Sequence, residues 1–237
     1  MISKIYFIIF LFLVSIDEGD GIARQYDPVS VYKVKFIQGF TILIHPKVIQ
    51  HEVETKKLVD ELDYQLSKVV HVMPDKPLSI IRKVKIWVEW ENKLNGAAEF
   101  HNSREWLINN AYNPMKAQDV EVTNVTNFIS WSRSTQPWMI LHELAHAYEY
   151  LQLRNEQDLI NATYQNAVDM EIYDSVKYVL GGKKTAYALE NSKEYFAELS
   201  ESYFGVNDYY PFTRNDLMRH DLKGYLLMLK LWGNVNG

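Results

Sequence analysis

Thr135-Gln136-Pro137-Trp138-Met139-Ile140-Leu141-His142-Glu143-Leu144-Ala145-His146-Ala147-Tyr148-Glu149 is the stretch that decides how the rest of the chain is read. Its centre, His142 to His146, is an H-E-x-x-H motif. On an α-helix residues i and i+4 share a face, so the two imidazoles converge on one metal ion. Glu143 is turned by about 100° around the helix axis, which sets its carboxylate beside the open coordination position of the metal rather than on it. Two neutral imidazoles and an adjacent base are what zinc-assisted hydrolysis requires. The pattern predicts a helix capped by Thr135 with Pro137 in its first turn. Ile140, Leu141, Leu144, Ala145, Ala147, Tyr148 and Leu151 cover much of its circumference, so it is expected to be central and buried.

Two imidazoles do not complete a zinc site; a third protein ligand is needed, with the fourth position left open. One solution places a histidine six residues after the second, with a glycine between. Those positions hold Gln152 and Glu149, which excludes it. The other solution takes a glutamate from a downstream helix. Asn191-Ser192 precedes a strongly patterned helix, Lys193 to Phe204, closed by Gly205. It carries Glu194 and Glu198 one turn apart on one face. One of these can ligate while the other hydrogen-bonds the outer nitrogen of a ligating histidine, the support such sites need. By contrast Glu149, Glu171 and Glu201 read as solvated helix charges. His101 and His220 read as surface or supporting histidines, and Trp131 and Trp138, which flank the motif, as core rather than as walls of a substrate cleft.

Outward from the motif, the first half of the chain alternates strand and helix patterns. Tyr26 to Val48 reads as strand material around a Gln38-Gly39 turn, with His45 as a strand-end residue rather than a ligand. Residues 49 to 72 take helical spacing, with His51 and His71 at the ends and Pro74 and Pro77 beyond. Lys83 to Glu91 returns to strand character, Asn95-Gly96 marks a turn, and Ala97 to His101 is expected to pair back antiparallel. A short helix follows near Ser103 to Ile108, then a strand from Val120 to Ile129. Residues 154 to 179 read as helical and are closed by Gly181-Gly182. Thr213 to Asp216 has the form of a capping box opening a helical C-terminal region.

With 237 residues, 47% of them hydrophobic, the chain is long enough for one good core. Its formal charge of −5 argues against nucleic-acid and anionic-membrane partners, which call for a basic face. There is no cysteine, so neither a disulfide nor a thiolate ligand is available. Lys4 precedes an apolar run from Ile5 to Ile16, followed by acidic and small residues. Such a run is too short to span a bilayer comfortably and has the form of a cleaved secretory signal, residues 1–23. Residues 24–237 are expected to form a single, secreted, monomeric domain. Asn124-Val125-Thr126 and Asn161-Ala162-Thr163 are glycosylation acceptor sequences in a eukaryotic secretory route, and otherwise surface loops or helix faces.

The pairing of His-Glu-Leu-Ala-His-Ala (142–147) with Lys-Glu-Tyr-Phe-Ala-Glu (193–198) resembles the zinc metallopeptidases of the anthrax lethal-factor type, to which the Pro-Pro endopeptidases are related. The likeness covers roughly Thr135 to Phe204 and does not extend to the first hundred residues. It implies a zincin-like α+β domain with a small mixed sheet, a helix carrying the motif and a mainly helical C-terminal half. It also implies His142, His146 and Glu194 as ligands to one Zn2+, Glu143 as general base and Tyr187, seven residues before Glu194, as the oxyanion donor. Glu198 matches the second acidic residue, whose supporting role beside a ligating histidine follows from helix geometry. The function expected is hydrolysis of a protein or peptide substrate by metal-assisted water attack, with the strands around Ile86–Trp90 and Ala97–His101 offering an edge to an extended peptide. A protein of the same fold that keeps zinc for stability and only binds a partner is the alternative, and the intact Glu143 speaks against it. These residues equally allow a zinc hydrolase with a non-peptide substrate.

Overall fold

A computed structural model describes residues 26–235 of the chain; the expected signal segment, residues 1–23, lies outside the described residues. The N-terminal half builds a mixed five-stranded sheet. Strands β1 (Lys33–Ile37) and β2 (Phe40–Ile44) form an antiparallel hairpin. Its turn is Gln38-Gly39, both at positive φ, a conformation glycine accepts at little cost. After the single turn α1 (Pro46–Ile49) come the long α2 (Glu52–Val72), α3 (Asp75–Ile81) and β3 (Ile86–Val88). Next are β4 (Ala98–Phe100), α4 (Arg104–Asn109) and β5 (Val120–Val122). The strand order is β1-β2-β3-β5-β4, with β2, β3 and β5 parallel and β4 antiparallel at the edge.

Two expectations about strands are corrected here. Residues 97 to 101 do not pair back on β3, because β5 inserts between them. Val120 and Val122 are fully buried, which suits a central strand, whereas Ala98, Glu99 and Phe100 are each partly exposed and suit an edge. Nor does a strand run on to Ile129. The Asn124 side chain accepts from the Asn127 N–H and opens helix α5 (Val125–Ser134). Asn124 is thereby buried, and it also donates to the Lys93 carbonyl, so this acceptor sequence is not displayed on the surface.

The C-terminal half is helical: α6 (Met139–Gln152), α7 (Gln157–Asp169), α8 (Ser192–Phe204), α9 (Arg214–His220) and α10 (Leu222–Trp232). A small hairpin, β6 (Val176–Lys177) with β7 (Lys183–Lys184), interrupts it. Gly181-Gly182 therefore belongs to a hairpin turn and does not close a long helix, which ends at Asp169. Helix α9 opens on the capping box Thr213–Asp216, with both reciprocal bonds present. Among the described residues no helix is long and apolar enough to cross a membrane.

The two faces of the sheet differ. Ile42, Ile44, Ile86, Val88, Val120 and Val122 point into the main core, shared with α2, α6, α8 and α10. The other face holds a small apolar patch of Tyr32, Leu43 and Trp87 beside a buried ionic network. There the Lys116 ammonium donates to Glu89 (2.7 Å) and Glu121 (2.8 Å), and His101 meets Glu121 at 2.6 Å. His101 is thus a buried partner of a carboxylate on the far side of the sheet from the H-E-x-x-H motif. An ion network so completely taken out of water holds because each charge is paired.

Candidate metal centre

Helix α6 is as central as its apolar girth predicts, but its start is not set by its own sequence. Thr135 caps the C-terminus of α5, Trp138 is the N-cap residue of α6 without a side-chain cap, and Pro137 lies before the helix. The free N–H groups of a buried helix end must still be satisfied. Gln65 of α2 does this: its Oε1 accepts from the Ile140 N–H (3.0 Å) while its Nε2 donates to Ser132 (2.7 Å). Lys68 adds a bond to the Pro137 carbonyl (2.7 Å) and lies over the Trp138 ring.

Helix α8 is capped by Asn191, which accepts from the Lys193 and Glu194 N–H groups. It packs along α6, and its end passes so close to Trp138 that a Cβ on Gly205 would lie 1.9 Å from the indole. This contact sets the two helices face to face and brings the predicted ligands together. His142 Nε2 lies 3.0 Å from Glu194 Oε2, His146 Nε2 lies 3.2 Å from the same oxygen, and the two Nε2 atoms are 3.2 Å apart. Four-coordinate zinc with donors at about 2.0–2.1 Å separates them by about 3.3 Å in a tetrahedral arrangement. Three donors from two nitrogens and one carboxylate, nearly equidistant and facing a cleft, fit that ion.

The outer nitrogen of His142 has a different partner from the one expected. Glu201, not Glu198, meets His142 Nδ1 at 2.8 Å; Glu198 Oε1 stands off at 3.8 Å. Glu194, Glu198 and Glu201 lie on one face of α8 at i, i+4 and i+7, and the last reaches the imidazole. Glu201 and Glu149 are buried, so neither is a solvated helix charge; Glu171 is exposed at positive φ. The i+7 signal was present in the sequence, and extending the helix face by one more turn finds it.

Burial opposes ionisation of Glu194, but hydrogen bonds with His142 and His146 outweigh it and hold the carboxyl well below its usual range. Burial likewise disfavours a charge on His142, yet the Glu194 and Glu201 contacts raise it well above an ordinary imidazole. Glu143 is pushed up by burial, with His142, His146 and the Phe100 main-chain N–H of β4 pulling the other way. It sits at the base of a cleft of about 400 Å3 whose walls include β4, Trp131, Tyr187 and the three donor residues. Trp131 therefore lines the cleft, while Trp138 is core.

Tyr187 lies in a 3-10 turn, Tyr187–Leu189, just before α8, half exposed, with its ring centroid 6.3 Å from that of His142. Burial and the nearby Glu194 raise its hydroxyl, so it keeps its proton and remains a donor at neutral pH. On the far side of His146 and Glu194 the cleft continues into a second hollow of about 360 Å3 walled by Phe100 and Tyr150, with Glu149 and Gln157 also lining it. His220 bonds the Ile172 carbonyl and takes no part. In comparisons with known proteins, no family model, curated protein or solved structure matches the chain.

Proposed function

We propose that the chain is a secreted, zinc-dependent endopeptidase with a zincin-like catalytic domain of the lethal-factor type. The observation that carries this reading is the triangle of His142 Nε2, His146 Nε2 and Glu194 Oε2, with sides of 3.0–3.2 Å, beside the buried Glu143 in an open cleft. A zinc ion held there supplies Lewis-acid activation of a water and of the scissile carbonyl. The chain's own groups do the rest. Glu143 takes the proton of the attacking water and delivers it to the departing amine nitrogen as the C–N bond breaks. Its raised affinity for a proton suits that transfer. Tyr187 donates a hydrogen bond to the carbonyl oxygen as negative charge gathers on it. Glu201 holds His142 through Nδ1, keeping Nε2 directed at the site. The free edge of β4 offers main-chain groups to an extended peptide laid across the cleft as an added strand.

Incubation of the zinc-loaded protein with a peptide library tests the reading. Cleavage is expected, falling by about 10²–10⁴ in Glu143→Gln while one zinc per chain is retained. Undiminished cleavage by that variant would refute the role given to Glu143. Stoichiometric zinc without cleavage of any peptide, together with capture of one protein, would instead establish the non-catalytic binding protein.

A further inference from the structure

Beyond Tyr187 the cleft continues into an open hollow of about 300 Å3. Four aromatic residues line it, Trp131, Tyr178, Tyr187 and Tyr209, and two carboxylates stand among them, Glu198 and Asp208. The Tyr178 and Tyr209 rings lean together at 4.9 Å. Both acids are more than nine-tenths buried. Among the described residues no lysine or arginine comes within ion-pair distance of either one; the only such contact is that of Glu198 with His142, at 3.8 Å. Glu198 Oε2 accepts from Asn207, while Oε1 accepts no hydrogen bond from any described residue. The Asp208 N–H donates to Asn207 Oδ1 (2.8 Å). A bound zinc would give the two acids no partner, since Glu194 and the imidazoles of His142 and His146 would hold it and Glu201 is committed to His142 Nδ1. Two buried carboxylates are left facing a cavity with π-faces on its walls. Electron-rich ring faces and buried carboxylates favour the same kind of guest, an organic cation. Outside the hollow, the Lys184 ammonium rests 3.7 Å from the Tyr178 ring centroid.

We propose that this hollow is a subsite for a basic side chain, lysine or arginine, of the substrate. The inference rests on the peptidase reading for the identity of its ligand, since the hollow shares Trp131, Gln136 and Tyr187 with the metal cleft. A peptide crossing the site thus places one residue in it. Glu198 and Asp208 would pair with the cation, and the rings would bury its aliphatic stem.

The test compares the zinc-loaded native protein with Asp208→Asn on peptides that differ at one position at a time, lysine or arginine against norleucine. At one position the native protein is expected to favour the basic residue by about 10- to 100-fold in kcat/KM, the range that a hydrogen bond to a buried charge supplies. Asp208→Asn, and independently Glu198→Gln, should lower that ratio by about ten-fold or more, with zinc content and thermal unfolding measured for each. Cleavage with no basic preference at any position, or a preference unchanged in both variants, overturns the subsite and leaves the peptidase intact. If the native protein binds zinc and cleaves nothing, the peptidase reading falls. Binding of Nα-acetyl-lysine amide against Nα-acetyl-norleucine amide then decides the hollow alone, equal affinities overturning it and a lysine preference lost in Asp208→Asn sustaining it.

Discussion

At Glu201 a buried carboxylate and the Nδ1 of His142 satisfy each other at 2.8 Å. Removing the carboxylate leaves the imidazole free to turn and less basic toward a metal. Glu201→Gln is therefore expected to weaken zinc binding by about 10–100-fold, and Glu198→Gln by less. Competition with a chelator of known affinity measures both, and a larger loss in the Glu198 variant would reverse the assignment. Asp208 gives a prediction of a different kind. Burial and then the neighbouring Glu201 push it up to about 7. A carboxyl raised in the folded state keeps its proton where the unfolded chain has lost one. Its favourable contribution is complete below about pH 4 and disappears as pH climbs through about 7. Over that window the metal-free native protein should lose up to about 4 kcal/mol relative to Asp208→Asn. Urea unfolding of both chains after chelation, at several pH values, checks the difference, and parallel curves would count against it.

At the scale of the element, the centre depends on how α6 and α8 are seated. Gln65 satisfies the N-terminus of α6 from a helix far away in sequence. Gln65→Ala leaves the Ile140 N–H buried and unpaired and should cost about 1–3 kcal/mol. Gly205 has no room for a methyl group against Trp138, so Gly205→Ala should cost about 1–3 kcal/mol or more by overpacking, with zinc affinity falling alongside. Denaturant midpoints report both variants. These contacts also separate what a local sequence pattern reveals from what it hides. The helices of the site were legible because both show a full apolar face, and α8 adds its own Asn191 cap and Gly205 close. The start of α6 was not, because its cap comes from Gln65 and a local pattern cannot reveal a partner some seventy residues away. The place of β4 was hidden for a similar reason. Turn chemistry at Asn95-Gly96 suggests a neighbour close in sequence, whereas the deeper burial of Val120 and Val122 puts β5 between. Glu201 is visible in the helical period yet reads as solvated, since the burial of a helix face depends on what packs against it.

For the whole molecule, zinc should act as a stabiliser that binds only the folded chain. At a free concentration about 100-fold above its dissociation constant it adds about 2.7 kcal/mol. For a protein of this size that corresponds to a rise in Tm of about 5–10 °C, with no shift for a cation that the donors do not fit, such as Mg2+. Differential scanning calorimetry before and after chelation decides it. The donors also come from two helices far apart in the chain, His142 and His146 on α6 and Glu194 on α8. In a protein without cysteine, an ion shared by them is a removable cross-link. It ties off the segment between residues 146 and 194, a loop whose closure entropy in a disulfide of that span amounts to about 4 kcal/mol. Stripping the metal would therefore do more than silence a site. Helix α7 and the β6–β7 hairpin lie within that loop, so the first cuts made by an added protease in chelated protein are expected there.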